Sequence, residues 1–350
     1  MTGSNRERPS TSSPEVWQEK MVRANGVDLC VDTFGDPADT PILLIHGAAA
    51  SLLAWEDGFC ERLAAGSRFV IRYDHRDTGR SVSYEPGAPP YTLRDLVADA
   101  VGLLDAFGLD EAHLVGRSMG GGIAMLAALD YPDRVASLTL VGTSPGGSGL
   151  PAMSEEFLAH VGGAGNPDWS DREAVIDHVI GMLRVFSGGS GHLDEATMRD
   201  LIGRDVDRTV NVASSQINHF VMDLGEPVRE RLGEIGVPTL VVHGAEDPVF
   251  PSATRSRWKR RSPAPGCLPW SGRATSCPGR CGTSSSPPSC GTRRATGHAK
   301  WNCNPTTTPV RKCNESFEHR VPRRVARRPQ GAARQGEGSH SPMVRHMARR

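Results

Sequence analysis

The residues best suited to chemistry stand at the ends of apolar runs. Gly116-Arg117-Ser118-Met119-Gly120 fits the pattern G-x-S-x-G, directly after one such run and directly before a small-residue helical stretch. A strand that turns sharply into a helix forces the serine into a strained backbone conformation, and side chains at the flanking positions would collide with neighbouring elements. The hydroxyl then lies exposed at a helix N-terminus, where N–H groups and the dipole favour developing negative charge. That is the setting for nucleophilic attack on a carbonyl. Without a strand and a helix around it, the same pentapeptide is only a Gly-rich turn.

His46-Gly47-Ala48 closes an earlier apolar run, and a loop there faces the serine across the C-terminal edge of a parallel sheet. The Ala48 N–H joins the Met119 N–H as a pair of oxyanion donors, each worth about 10²–10³ in rate by analogy with measured oxyanion holes. His46 reads as a loop-orienting histidine rather than a base. A later run ends at His243-Gly244-Ala245-Glu246-Asp247-Pro248. An aspartate on the loop after a late strand is where the acid of a Ser, Asp, His chain order belongs; it would fix an imidazole tautomer and stabilise the imidazolium. The plainer reading is a turn aspartate before proline.

Positioning these residues takes alternating strands and helices. Asp28 to Phe34 alternates as a strand, and Pro41 to Ile45 is a short, wholly apolar run of the kind buried on both faces. Leu52, Trp55, Phe59 and Leu63 recur at helical spacing, and Arg68 to Tyr73 is another buried strand. Thr92 to Phe107 carries one apolar helical stripe, with Thr92 and Asp95 set as a capping box. His113 to Val115 and Val135 to Val141 read as strands, with a helix from Met119 to Leu129 between them. The alternation predicts a doubly wound, mostly parallel α/β sheet. From 150 to 224 the pattern turns helical with Gly-rich breaks, as in an inserted cap, and Val237 to His243 returns to the sheet. The expected organisation is a disordered lead-in over 1–18, a core over 19–149 and 225–250, the cap, and a tail over 251–350.

Four segments resemble the α/β-hydrolase superfamily: His46-Gly-Ala-Ala-Ala-Ser51, Tyr73-Asp-His-Arg-Asp-Thr-Gly-Arg-Ser81, Gly116-Arg-Ser-Met-Gly-Gly121 and His243-Gly-Ala-Glu-Asp247. The stretch from Asp74 to Ser81 is most similar to the branch of aclacinomycin methylesterase and proline iminopeptidase-like enzymes. The likeness covers residues 20 to 250. It implies hydrolysis of a small-molecule ester or amide through an acyl-enzyme, with no cofactor. Serine at the nucleophile position argues against the dehalogenase and epoxide hydrolase branches, which use aspartate there. A carbon–carbon bond hydrolase, a cofactor-free haloperoxidase or a catalytically inactive binding protein of the same fold are the other readings.

The family sets its histidine roughly 25–30 residues beyond the aspartate, often as Gly-His, and residues 270–280 contain none. The chain changes character there. Residues 251–350 hold 21 Lys/Arg and 3 Asp/Glu, a charge of +18 that offsets −18 in the rest, with six of the eight cysteines, one leucine and no isoleucine or tyrosine. Such a segment buries too little apolar surface to fold alone, so the sheet elements after Phe250 are expected to be lost. The composition reads as a GC-rich message translated out of frame. Writing Arg273 to Pro278 as CGG GCC ACG AGC TGC CCC and starting from the third base gives Gly-His-Glu-Leu-Pro. The same exercise from Arg257 to Arg273 permits a helix end, a turn and a strand, and from Gly282 to Ala295 a terminal helix.

Other roles for the tail have less behind them. Cys277 and Cys281, with Cys290 and Cys303, lack the paired spacing of a zinc site. The basic charge lacks the aromatic interleaving or helical periodicity of a nucleic-acid or membrane surface. Gly297-His298 lies 51 residues beyond Asp247, and His319, His340 and His346 are farther still. His178, His192 and His219 in the cap read as surface or substrate-pocket residues. With no basic start and apolar run among residues 1–25, the expectation is a cytoplasmic protein with reduced thiols, free of metal and of nucleic-acid or membrane partners.

Overall fold

A computed structural model describes residues 19–147, 150–163, 165–187 and 193–251, together with the backbone of 265–270. The lead-in over 1–18 and all of 271–350 lie outside the described residues, as does His192.

The strands are β1 (Lys20–Ala24), β2 (Val27–Phe34), β3 (Thr40–Ile45), β4 (Arg68–Tyr73), β5 (Ala112–Arg117), β6 (Val135–Val141), β7 (Thr239–Gly244) and β8 (Pro265–Trp270). They form one sheet in the order β1-β2-β4-β3-β5-β6-β7-β8. β2 pairs antiparallel with both β1 and β4, and every pairing from β4 through to β8 is parallel. The expected doubly wound, mostly parallel sheet is present.

Alternation along the strands sorts side chains between the two faces. In β3, Leu43 and Ile45 join the larger core while Ile42 and Leu44 join the smaller one; in β4, Phe69, Ile71 and Tyr73 go to the former and Val70 to the latter. The larger core is covered by α2 (Leu93–Ala106) and α3 (Met119–Asp130), and the smaller by α1 (Asp57–Ala64), whose Cys60 is buried beside Trp55. The Thr92 N–H donates to Asp95 Oδ2 at 2.8 Å, one half of the expected capping box. Between β6 and β7 the described residues form α4 (Glu155–Gly163), α5 (Arg172–Phe186), α6 (Glu195–Arg208) and α7 (Val212–Val221). No helix among the described residues is long and apolar enough to cross a membrane.

One expectation is corrected. The sequence argues for no sheet element beyond Phe250, yet β8 pairs in parallel with β7 from Thr239↔Pro265 to Gly244↔Trp270. A strand at the margin of a sheet adds through backbone hydrogen bonds along one side and needs no apolar pattern of its own. That position also tolerates proline, here Pro265 and Pro269.

Candidate active site

Ser118 stands between the last residue of β5 and the first of α3 with φ 53° and ψ −121°. A non-glycine residue held there stores roughly 1–3 kcal/mol of strain, so its surroundings must fix it. They do so through its own backbone: the Ser118 N–H donates to Val141 O at 3.0 Å, and its carbonyl accepts from Thr143 Oγ1 at 2.7 Å and from the Gly121 N–H at 2.9 Å. The flanking glycines are dictated by contact. A Cβ on Gly116 would lie 2.3 Å from Gly120 O, and one on Gly120 would lie 2.3 Å from Ile45 O. Met119 opens the helix, so its N–H has no acceptor within the helix.

The backbone after β3 passes directly beside the serine. A Cβ on Gly47 would lie 3.7 Å from Ser118 Oγ, so the loop that carries Ala48 begins against the serine side chain. Three buried histidines surround this turn. His46 Nδ1 donates to Gly47 O at 2.8 Å, its Nε2 accepts from the His75 N–H at 3.4 Å, and His75 Nε2 donates to His46 O at 3.2 Å. His219, on α7, accepts the Ala49 N–H at Nδ1 (3.3 Å) and donates from Nε2 to Arg76 O (2.9 Å). Burial keeps all three neutral, pushing His46 down to about 3, His219 down to about 4, and His75 well below the usual imidazole range. His46 therefore orients its own loop, as its sequence context suggests. His219 does not match the surface or substrate-pocket role expected of a cap histidine: it is buried and bonded to two core loops.

Asp247 is 3% exposed. Its Oδ1 accepts from the N–H groups of Val249 (2.9 Å) and Phe250 (2.8 Å), while Oδ2 is buried with no hydrogen-bond partner among the described residues. Desolvation raises its pKa, opposed by the Phe250 N–H, by His243 and by the Val249 N–H. The turn is anchored by His243 Nε2 on Phe250 O at 2.5 Å and by the Ser154 N–H on Pro248 O at 2.8 Å. Val249 packs with Phe157 and Val161 of α4. Only β6 separates β5 from β7, and at about 4.8 Å per strand the ends of β5 and β7, which lead into Ser118 and toward Asp247, stand roughly 10 Å apart. No described histidine hydrogen-bonds Asp247 Oδ2; His298, His319, His340 and His346 lie outside the described residues.

The segment from Asp74 to Ser81 frames the site rather than entering it. Asp74 accepts the Leu52 N–H at 2.7 Å and pairs with Arg208 of α6 through both oxygens (2.8 and 3.0 Å). Arg76 forms a forked pair with Asp99 at 2.7 Å on each arm. Asp77 holds Tyr91 and Asn218 at 2.6 and 2.8 Å. The motif's charges thus tie α2, α6 and α7 to the loops that border Ser118.

A parallel sheet with a strained serine after its fifth strand and a buried aspartate after its seventh defines a hydrolase architecture. Residues 40–267 match the family model for the alpha/beta hydrolase fold. The chain is 34% identical to the rhodomycin D methylesterase DauP of Streptomyces sp. (strain C5) over 66% of its own length and 83% of the relative's. It is 30% identical to a 2-hydroxy-6-oxononadienedioate/2-hydroxy-6-oxononatrienedioate hydrolase of Dechloromonas aromatica (strain RCB), over 69% and 83%. Among solved structures, the esterase RhEst1 of Rhodococcus sp. ECU1013 aligns with a TM-score of 0.57 at 25% identity, over 73% of this chain and 90% of that one. The chain belongs to the α/β-hydrolase family, and its enzymatic class is hydrolase.

Proposed function

We propose that this chain cleaves a small carboxylic ester through an acyl-enzyme on Ser118, with the Ala48 and Met119 N–H groups as oxyanion donors and Asp247 as the acid that orients a histidine. The observation that carries the reading is the serine itself, held at φ 53° at the mouth of α3 with Gly47 against its hydroxyl. The methylesterase relative favours an ester over an amide. In the reaction, Ser118 Oγ passes its proton to the base as it bonds the acyl carbon. The base returns that proton to the departing alkoxide as the C–O bond breaks, and water then repeats the sequence to release the acid. Helices α4–α7 form the cap over the acyl group.

The base is the weak point of the chain as written, and the unpartnered Asp247 Oδ2 is where its imidazole belongs. We infer that the histidine was lost to a shift of reading frame between about Asp247 and Arg257. Without it, turnover falls to the residual of roughly 10³–10⁴ over water that binding and the oxyanion hole supply. The test is p-nitrophenyl acetate hydrolysis and fluorophosphonate labelling of this chain, its S118A variant and a frame-restored form. Strong, Ser118-dependent activity in the restored form alone supports both statements. Inactivity of both forms points to a binding protein on a hydrolase fold, and repeated gene reads agreeing with the present frame would sink the frame inference. Carbon–carbon bond hydrolysis, suggested by the second relative, is separated by offering the restored form a 2-hydroxy-6-oxo-dienoate.

A further inference from the structure

α7 spends most of its core-facing polar groups on loops outside itself. Ser214 Oγ donates to Tyr84 O at 2.5 Å, and Asn218 Nδ2 donates to Asp77 Oδ2 (2.8 Å) and Glu85 O (3.1 Å). Those bonds fasten the helix to the 77–87 segment. Two further side chains reach the turn beside the nucleophile, and both end on Ala49. His219 Nδ1 accepts the Ala49 N–H at 3.3 Å, and Gln216 Nε2 donates to Ala49 O at 3.1 Å. Ala49 has φ 54°, the left-handed region that alanine leaves readily unless both its peptide groups are held.

The peptide before Ala48 carries the donor that matters. Its carbonyl, Gly47 O, accepts from His46 Nδ1 at 2.8 Å. In a trans peptide the N–H points opposite the carbonyl, so this bond aims the Ala48 N–H away from His46. The following peptide is fixed by His219. Two neutral imidazoles therefore hold the consecutive peptide groups on either side of Ala48. His75 fills the space between them, with ring centroids 4.0 Å from His46 and 5.8 Å from His219.

We propose that His219, assisted by Gln216, is a positioning residue for the oxyanion loop: by clamping Ala49 from the cap helix it sets the direction of the Ala48 N–H, so that seating α7 completes the oxyanion hole. The inference rests on the reading of Ser118 and Ala48 given above. His219 touches neither the serine nor the reacting carbonyl and acts only through Ala49. The cap thereby contributes to the chemical step as well as to the shape of the acyl pocket.

Two amide replacements separate the clamp from mere packing, because an asparagine places its oxygen near the imidazole Nδ1 and a glutamine places its amide near Nε2. H219N keeps the acceptor for Ala49 and loses the donor to Arg76; H219Q does the reverse. Both remove one buried hydrogen bond, so a purely structural residue responds alike to the two. Hydrogen exchange of the 46–52 peptide is measured on the full chain, and steady-state p-nitrophenyl ester kinetics on the frame-restored form, with S118A of that form as background. The expectation for H219Q is at least tenfold faster exchange in that peptide and a kcat lowered roughly 10- to 100-fold at unchanged KM, the scale of a small misplacement near reacting groups. H219N restores both to near the parent values. Equal losses in the two variants, or loop exchange in H219Q no faster than in the parent, overturn the proposal. If S118A is as active as its frame-restored parent, the reading of Ser118 falls instead, while the exchange comparison still decides whether His219 clamps the loop.

Discussion

The neutral histidines that pack the oxyanion loop make acid stability the sharpest prediction. An imidazole whose folded pKa lies below its unfolded value contributes stability at high pH, and that contribution drains away as pH falls from the unfolded value toward the folded one, because the unfolded chain takes up the proton first. His46 goes from about 6.5 unfolded to about 3, and His219 from about 6.5 to about 4. Between pH 7.5 and 5.0 each then gives up about 2 kcal/mol, by the linkage integral at 1.36 kcal/mol per unit. His75 adds in the same direction. Working against them is Asp205 on α6, whose carboxyl is pushed up to about 6 by burial. It binds its proton more tightly in the folded state and returns about 1.4 kcal/mol over the same interval. The raised carboxyls of Asp74, Asp99 and Asp247 act on the side of Asp205. From the three groups with assigned values the net loss is about 2–3 kcal/mol, which at a urea m-value of about 2–3 kcal/mol/M lowers the unfolding midpoint by roughly 1 M. The decisive comparison is H219Q, which removes one titrating ring: its pH-dependent loss shrinks by about 2 kcal/mol relative to the parent. Parallel midpoint-against-pH curves for parent and variant would refute the claim that His219 is held neutral by burial.

Three further outcomes follow from the geometry. In G120A the new Cβ meets Ile45 O at 2.3 Å, backbone against backbone; the collision costs about 3 kcal/mol or more, and a melting temperature matching the parent's would contradict the packing at the serine turn. R208M strips Asp74 of both its guanidinium contacts and is expected to lose about 3–5 kcal/mol in urea unfolding, the cost of leaving a buried charge uncompensated. That loss is largely recovered in R208M/D74N, and a double variant as unstable as R208M alone would show that charge pairing is not the cause. D247N changes residual ester turnover of the chain as written by less than about threefold, because there is no base to orient, yet lowers kcat of the frame-restored form by about 10⁴. Equal effects in the two forms would place the base within the present chain.

How much was legible depended on where the information lay. Apolar strands such as Arg68–Tyr73, buried on both faces, and Val135–Val141 announce themselves by composition, and their observed limits coincide with the apolar runs. β1, Lys20–Ala24, gives no such signal because four of its five residues keep some exposure, and β8 gives none because a marginal strand is written in backbone bonds. Ser118 could be found because a sharp strand-to-helix turn constrains its immediate neighbours. Asp247, by contrast, showed only that it follows a late strand. The role of His219 was out of reach: its partners, Ala49 and Arg76, stand 170 and 143 residues away in the chain, and nothing local distinguishes it from His178, which is half-buried against Trp169. Asp74 and Arg208, 134 residues apart, are a second contact that only the fold could reveal.

The unpartnered oxygen of Asp247 bears on the missing base more directly than composition does. A carboxylate taken out of water keeps its charge at reasonable cost only when both oxygens are bonded, and an orphaned buried acceptor costs about 1–3 kcal/mol or more. At Asp247 two backbone N–H groups satisfy Oδ1 and nothing satisfies Oδ2. A turn aspartate whose work was confined to capping would gain by leaving its second oxygen in solvent. This one is instead buried, on a turn whose Val249 packs with α4, and the strained Ser118 follows β5 with only β6 between the two strands. The strained serine and the half-bonded buried carboxylate are the two costly features that the proposed reading joins through a proton carrier. The sequence after Trp270 offers no histidine before His298. The shifted frame permits Gly-His at Arg273 to Pro278, directly after a stretch that it can also write as a strand. On the proposed reading, a shift of frame downstream of Asp247 accounts together for a serine and an aspartate kept in place and for the lack of a histidine on Asp247 among the described residues.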